Sequence, residues 1–94
     1  MAYLIVHHQL EDYDRWKSVF DGHITARREY GSKGAQVLRS AQDPNDVMII
    51  TEWESVEDAR AFAESPGLRE AMQRAGIVGR PDVHFLEEIE RQPA

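Results

Sequence analysis

Asp43-Pro44-Asn45-Asp46-Val47-Met48-Ile49-Ile50-Thr51-Glu52-Trp53 is the stretch that decides the fold. Its first four residues are turn formers: proline presets φ, and the Asx side chains bond their own backbone. The seven that follow are rich in β-branched and apolar side chains and end on an aromatic, as a strand does. Upstream, Gly34 to Ala41 has the same character, so the turn closes a hairpin between strands two and three. A hairpin in mid-chain needs further elements on both sides before it has a core to cover.

Those elements can be read outward from it. Residues 2–8, Ala2 to His8, predict strand one. From about Asp12 to Tyr30 the apolar residues recur at helical spacing. At ~100° per residue Tyr13, Trp16, Phe20, His23 and Arg27 fall within roughly 60° of one direction. Asp12 is placed as an N-cap, and Gly31 to end the helix. On the other side of the hairpin, Ser55-Val56-Glu57-Asp58 reads as a helix start. Ser65-Pro66 interrupts that second helix and restarts it, proline being suited to a first helical position. The helix continues through Leu68, Met72 and Ala75 to Gly76. After Gly79-Arg80-Pro81, residues 82–90 predict the last strand. The order β-α-β-β-α-β is the split β-α-β arrangement of a ferredoxin-like α+β fold. The expected sheet is antiparallel in the order 4-1-3-2, with helices on one face, and residues 1–94 form a single domain.

Strand alternation carries a second expectation. A sheet with water on one face alternates apolar and polar residues, and these strands do not. Tyr3 and Ile5 oppose Leu4 and Val6; Val47 and Ile49 oppose Met48 and Ile50; Val83, Phe85 and Ile89 oppose Leu86. Helices cover one face, and the other would leave an apolar patch larger than monomers usually expose. A homodimer packed through the sheet face, two sheets together, is the simplest cover.

Composition removes several function classes. The net charge of -6 lacks the basic stripe of a nucleic-acid binder. Absence of cysteine excludes disulfides, thiolate nucleophiles and cysteine-ligated metals. No apolar run approaches the ~20 residues of a membrane span, and no signal-peptide pattern opens the chain, so a cytoplasmic location without membrane partners is expected. No glycine-rich phosphate loop follows strand one. His7 and His8 point to opposite faces of a strand and cannot share an ion, and His84 adds no recognisable third ligand. No metal and no cofactor is expected.

The candidate site lies on the buried stripe of the first helix. Trp16 and Phe20 are expected in the core, and His23 and Arg27 share their stripe, although a charged arginine is seldom buried unpaired. One reading places both in a cavity between helix and sheet, Arg27 holding an anionic oxygen of a small molecule and His23 serving as general base. The other has Arg27 reach Glu52 or Glu87 and leaves His23 a satisfied core histidine.

Over nearly its whole length the sequence resembles the dimeric α/β-barrel superfamily, specifically small proteins related to antibiotic-biosynthesis monooxygenases. The resemblance rests on Asp12-Tyr13-x-x-Trp16-x-x-x-Phe20-Asp21-x-His23, Glu52-Trp53, Glu57-Asp58-Ala59 with Phe62, and Met72-Gln73-x-Ala75-Gly76. Some relatives oxidise polycyclic aromatic substrates with oxygen and no cofactor, others degrade haem, and many have no known activity. The resemblance implies a cavity between helices and sheet with Trp53 near it. The expected substrate-binding set is thus Trp53, Tyr13, Trp16 and Phe20, around His23 and Arg27 as catalytic residues. The activity this implies is cofactor-free oxidation of an aromatic or polyketide-like substrate. The alternatives are a non-catalytic ligand-binding or stress-associated dimer, and a haem-binding relative.

Overall fold

A computed structural model describes all 94 residues. The elements are β1 (Ala2–Leu10), α1 (Tyr13–Gly22), α2 (Ile24–Glu29), β2 (Ser32–Arg39), β3 (Asp46–Trp53), α3 (Val56–Ala63), α4 (Pro66–Ala75) and β4 (Ile77–Glu87). The four strands form one antiparallel sheet in the order β2-β3-β1-β4, which is the expected 4-1-3-2 order viewed from the other edge. No helix is long and apolar enough to cross a membrane.

The expected caps form. The Asp12 side chain accepts from the Arg15 backbone N–H, Ser55 from Asp58, and Ser65 from Leu68, each satisfying a donor that the first helical turn leaves free. Gly76, at φ 73°, ends α4 in the left-handed region that a side chain disfavours.

Two elements depart from the sequence expectation. The helix expected from Asp12 to Tyr30 is broken at His23, whose φ of -99° and ψ of 10° separate α1 from α2. Gly22 and the β-branched Ile24 and Thr25 flank the break, all weak helix formers. The last strand begins at Ile77 rather than residue 82, and ends at Glu87 rather than 90. Gly79-Arg80-Pro81 is a bulge within it: β1 pairing steps from His7↔Asp82 to Gln9↔Val78. The sheet tolerates Pro81 because β4 is an edge strand.

Residue parity sets the two faces. In β1, Ala2, Leu4, His8 and Leu10 are buried under the helices, and in β3 so are Val47, Ile49, Thr51 and Trp53. The core is in two clusters. One gathers Ala2, Leu4, Trp53, Ala59 and Phe62, and the other Leu10, Trp16, Val47, Ile49 and Ala75. The opposite face carries Ile5 and Ile50 half-buried, with Leu38, Met48 and Leu86 exposed.

Candidate active site

Between the two core clusters, under α1, α2 and α4, the structure holds a cavity of about 190 Å³. Of its 18 lining residues 14 are hydrophobic, so the few polar groups stand out as the ones that would orient a ligand. Leu4, Val6, Ile49 and Val83 line it from the strands, and Phe62, Leu68, Ala71 and Met72 from the second pair of helices. The α1 contribution is Trp16, Val19 and Phe20, with the Trp16 and Phe20 rings stacked at 5.0 Å.

Arg27, on α2, lines the cavity with only 6% of its surface exposed. It meets neither Glu52 nor Glu87. Its Nη1 donates to the Phe20 carbonyl at 2.9 Å, and its guanidinium carbon lies 3.9 Å from the centre of the Phe20 ring. The helix break explains the first contact. Ending α1 at Gly22 turns the Phe20 carbonyl toward the His23 backbone N–H at 3.1 Å, its second lone pair stays open to Arg27, and a cation is favoured at that end. The second contact is a cation–π interaction. Neither neutralises the charge. Burial lowers the Arg27 pKa, opposed by the charge of Asp21, and arginine stays protonated through such shifts.

His23, in the break itself, also lines the cavity. Its ring packs 5.8 Å from that of Phe62, and its Nε2 is buried without a hydrogen-bond partner. Burial lowers its pKa first, and the charges of Arg27 and Arg74 lower it further. The neutral imidazole therefore dominates at neutral pH.

A third polar group, His8, comes from the floor of the cavity and was not singled out as a site residue on the sequence. It is 7% exposed, and its Nδ1 has no hydrogen-bond partner. Burial, with a smaller push from the charge of His7, sends its pKa down to about 4. A buried polar atom left unpaired costs about 1–3 kcal/mol, and His8 and His23 each carry one.

Two of the expected ligand-binding residues stand outside the lining. Tyr13 sits behind Trp16, with ring centres 5.8 Å apart, and beneath the Arg39 guanidinium at 4.6 Å. Trp53 is fully buried at the end of β3 under Ala59 and Phe62. Its indole N–H donates to Thr51 Oγ1 at 2.7 Å, and that hydroxyl donates to the Leu4 carbonyl at 3.1 Å. Trp53 thus holds Thr51, which does line the cavity, and touches it at one remove. No group of three histidine or carboxylate side chains is placed to hold a metal ion.

Comparisons with known proteins agree with the topology. The fold matches SnoaB from Streptomyces nogalater, a cofactor-independent oxygenase, with a TM-score of 0.82 at 15% identity, over 99% of this chain and 97% of that one. A candidate antibiotic biosynthesis monooxygenase from Bordetella bronchiseptica matches with a TM-score of 0.81 at 16% identity, over 95% and 97% of the two chains. Another from Nitrosomonas europaea matches at 0.77 and 18% identity, over 96% and 100%. No curated protein matches the sequence. These identities speak for the fold, and the family is set by the sequence itself. Residues 6–74 match the family model described as antibiotic biosynthesis monooxygenase, from the middle of β1 to the last turn of α4, so the chain belongs to that family.

Proposed function

We propose that the chain binds a compact, electron-rich aromatic hydroxy compound in the cavity and oxidises it with molecular oxygen, using no cofactor. The observation that carries this reading is the buried Arg27, which faces a mostly apolar cavity with a backbone carbonyl as its sole hydrogen-bond acceptor. Such a charge suits a ligand that becomes anionic. A volume of about 190 Å³ lies below the ~300–1,000 Å³ of sites for drug-sized ligands. It favours one or two rings over a polycyclic substrate or a haem.

His23, neutral and unpartnered, takes the phenolic proton, and Arg27 holds the resulting oxyanion. The phenolate passes an electron to oxygen, and the two radicals join at a ring carbon. Protonation gives a hydroperoxide, which loses water to leave a second carbonyl. Phenol and oxygen are thereby converted to quinone and water. The apolar wall offers few polar groups to hold water in competition with the anion. Family membership and the fold shared with SnoaB support the oxygenase reading. We also propose that two copies pair through the open face of the sheet.

Oxygen uptake with a panel of one- and two-ring phenols and hydroquinones tests the assignment. Turnover above the enzyme-free rate is expected, with a loss of ~10²-fold in both His23→Phe and Arg27→Met. Arg27→Met should keep its thermal midpoint or raise it, because replacing a buried charge by an apolar side chain is often neutral or stabilising. Uptake at the enzyme-free rate for the whole panel would rule out the oxygenase, and full activity in both variants would move the chemistry elsewhere.

A further inference from the structure

We propose that His8 is the specificity-determining residue of the cavity, taking a hydroxyl of the ligand other than the oxygen held by Arg27. The inference rests on the cavity being the ligand site.

Two independent features of the structure support it. His8 is more than nine-tenths buried in a chamber whose lining is mostly apolar, and its Nδ1 meets no hydrogen-bond partner. In either neutral tautomer that atom lacks a complement, as an acceptor without a donor or a donor without an acceptor. A hydroxyl can supply both. The second feature is the sheet around it. On β3 the residue opposite His8 is Val47, whose side chain offers no polar atom. On β4 the ladder skips His8, pairing His7 with Asp82 and Gln9 with Val78, so the Gly79–Pro81 bulge faces this position. Bulges re-aim side chains and are over-represented beside active sites. Here it leaves the imidazole with no cross-strand neighbour on that edge. Arg27 and His23 approach from the helical side, and His8 from the sheet, so a planar ligand between them meets polar groups on opposed walls.

An unpaired polar atom discriminates strongly, because a ligand lacking the matching group leaves it unpaired. The probes are naphthalene-2,6-diol and 2-naphthol, alike in shape and differing by the second hydroxyl. Titrations of both into wild type and His8→Leu are expected to give a ratio of dissociation constants that shifts ~10-fold toward 2-naphthol in the variant. 2-Naphthol itself should bind the variant as well as it binds wild type. In wild type carrying 15N-labelled histidine, the His8 Nδ1 resonance should move on saturation with the diol and stay put with 2-naphthol. If the diol binds wild type but the ratio is unchanged in His8→Leu and the resonance does not move, His8 is structural and the cavity reading survives. If the ratio is lost in His23→Leu instead, the hydroxyl belongs to His23 and the assignment to His8 is overturned. If neither probe binds wild type, the site and the role of His8 fall together.

Discussion

On the open face of the sheet, His7 Nε2 hydrogen-bonds the Asp46 carboxylate and its Nδ1 lies 3.7 Å from Asp82, so its pKa is raised, chiefly by the Asp46 bond. One residue on, burial holds His8 down at about 4. The two histidines pull stability in opposite directions with pH. Native His7 binds its proton more tightly than the unfolded chain does. Its contribution is complete below the ordinary histidine value of about 6.5 and is lost as pH rises through the raised pKa. Native His8 refuses a proton that the unfolded chain accepts, so its penalty grows as pH falls from about 6.5 to about 4. Over that window the His8 share is on the order of 3 kcal/mol. Urea unfolding at about pH 4 and about pH 7 should therefore show wild type losing that much more stability on acidification than His8→Leu. Equal losses would mean that the imidazole is solvated. Strand parity puts His8 on the face of Leu4 and Val6, and the structure shows that this face lies under the helices. Its lack of a partner depends on Val47 and the β4 bulge, and strand parity does not report these. The Arg27 partner was hidden for a similar reason. Sequence offers carboxylates as acceptors, whereas the acceptor here is the Phe20 carbonyl in the last turn of α1, which takes the Arg27 N–H beside the His23 backbone N–H.

At the scale of elements, the helical stripe placed His23 and Arg27 beside Trp16 and Phe20, and all four line the cavity although the helix is broken between them. The break is a single residue, His23, and its side chain and that of Arg27 both still line the cavity. The Gly79-Arg80-Pro81 stretch was opaque because its residues are turn formers in a loop and bulge formers on an edge. Only the pairing of the strands beside it distinguishes the two. Ser65, by contrast, was legible as a cap, and the structure gives it a second task. Its buried hydroxyl donates to the Phe62 carbonyl at 2.8 Å and accepts from the Leu68 N–H, joining the end of α3 to the start of α4. Ser65→Ala should cost about 1–2 kcal/mol, read as a lower urea midpoint with unchanged slope. A cost within error would mean that the proline at the first helical position suffices to start α4.

For the whole molecule, the element order and sheet order followed from hairpin chemistry and periodicity, because turn residues and alternation are local signals. The assembly turns on the face those signals leave bare. The molecule measures 35 by 33 by 20 Å, a slab whose broad side has room for the ~800 Å² per partner of a stable interface. Leu38, Met48 and Leu86 lie exposed on that side, at 44%, 39% and 47%. Wild type is therefore expected to scatter light as a dimer at micromolar concentration, and Met48→Glu as a monomer that retains its far-ultraviolet circular dichroism. A wild-type monomer would require another explanation for the bare face. The cavity has a mechanical consequence as well. Because it parts the core into two clusters, the middle of the core is imperfectly packed, and unfolding eliminates that volume. Hydrostatic pressure acts on such volume directly. Compression should thus reach this fold through its chamber, and an occupant that fills the chamber would stiffen the protein against it.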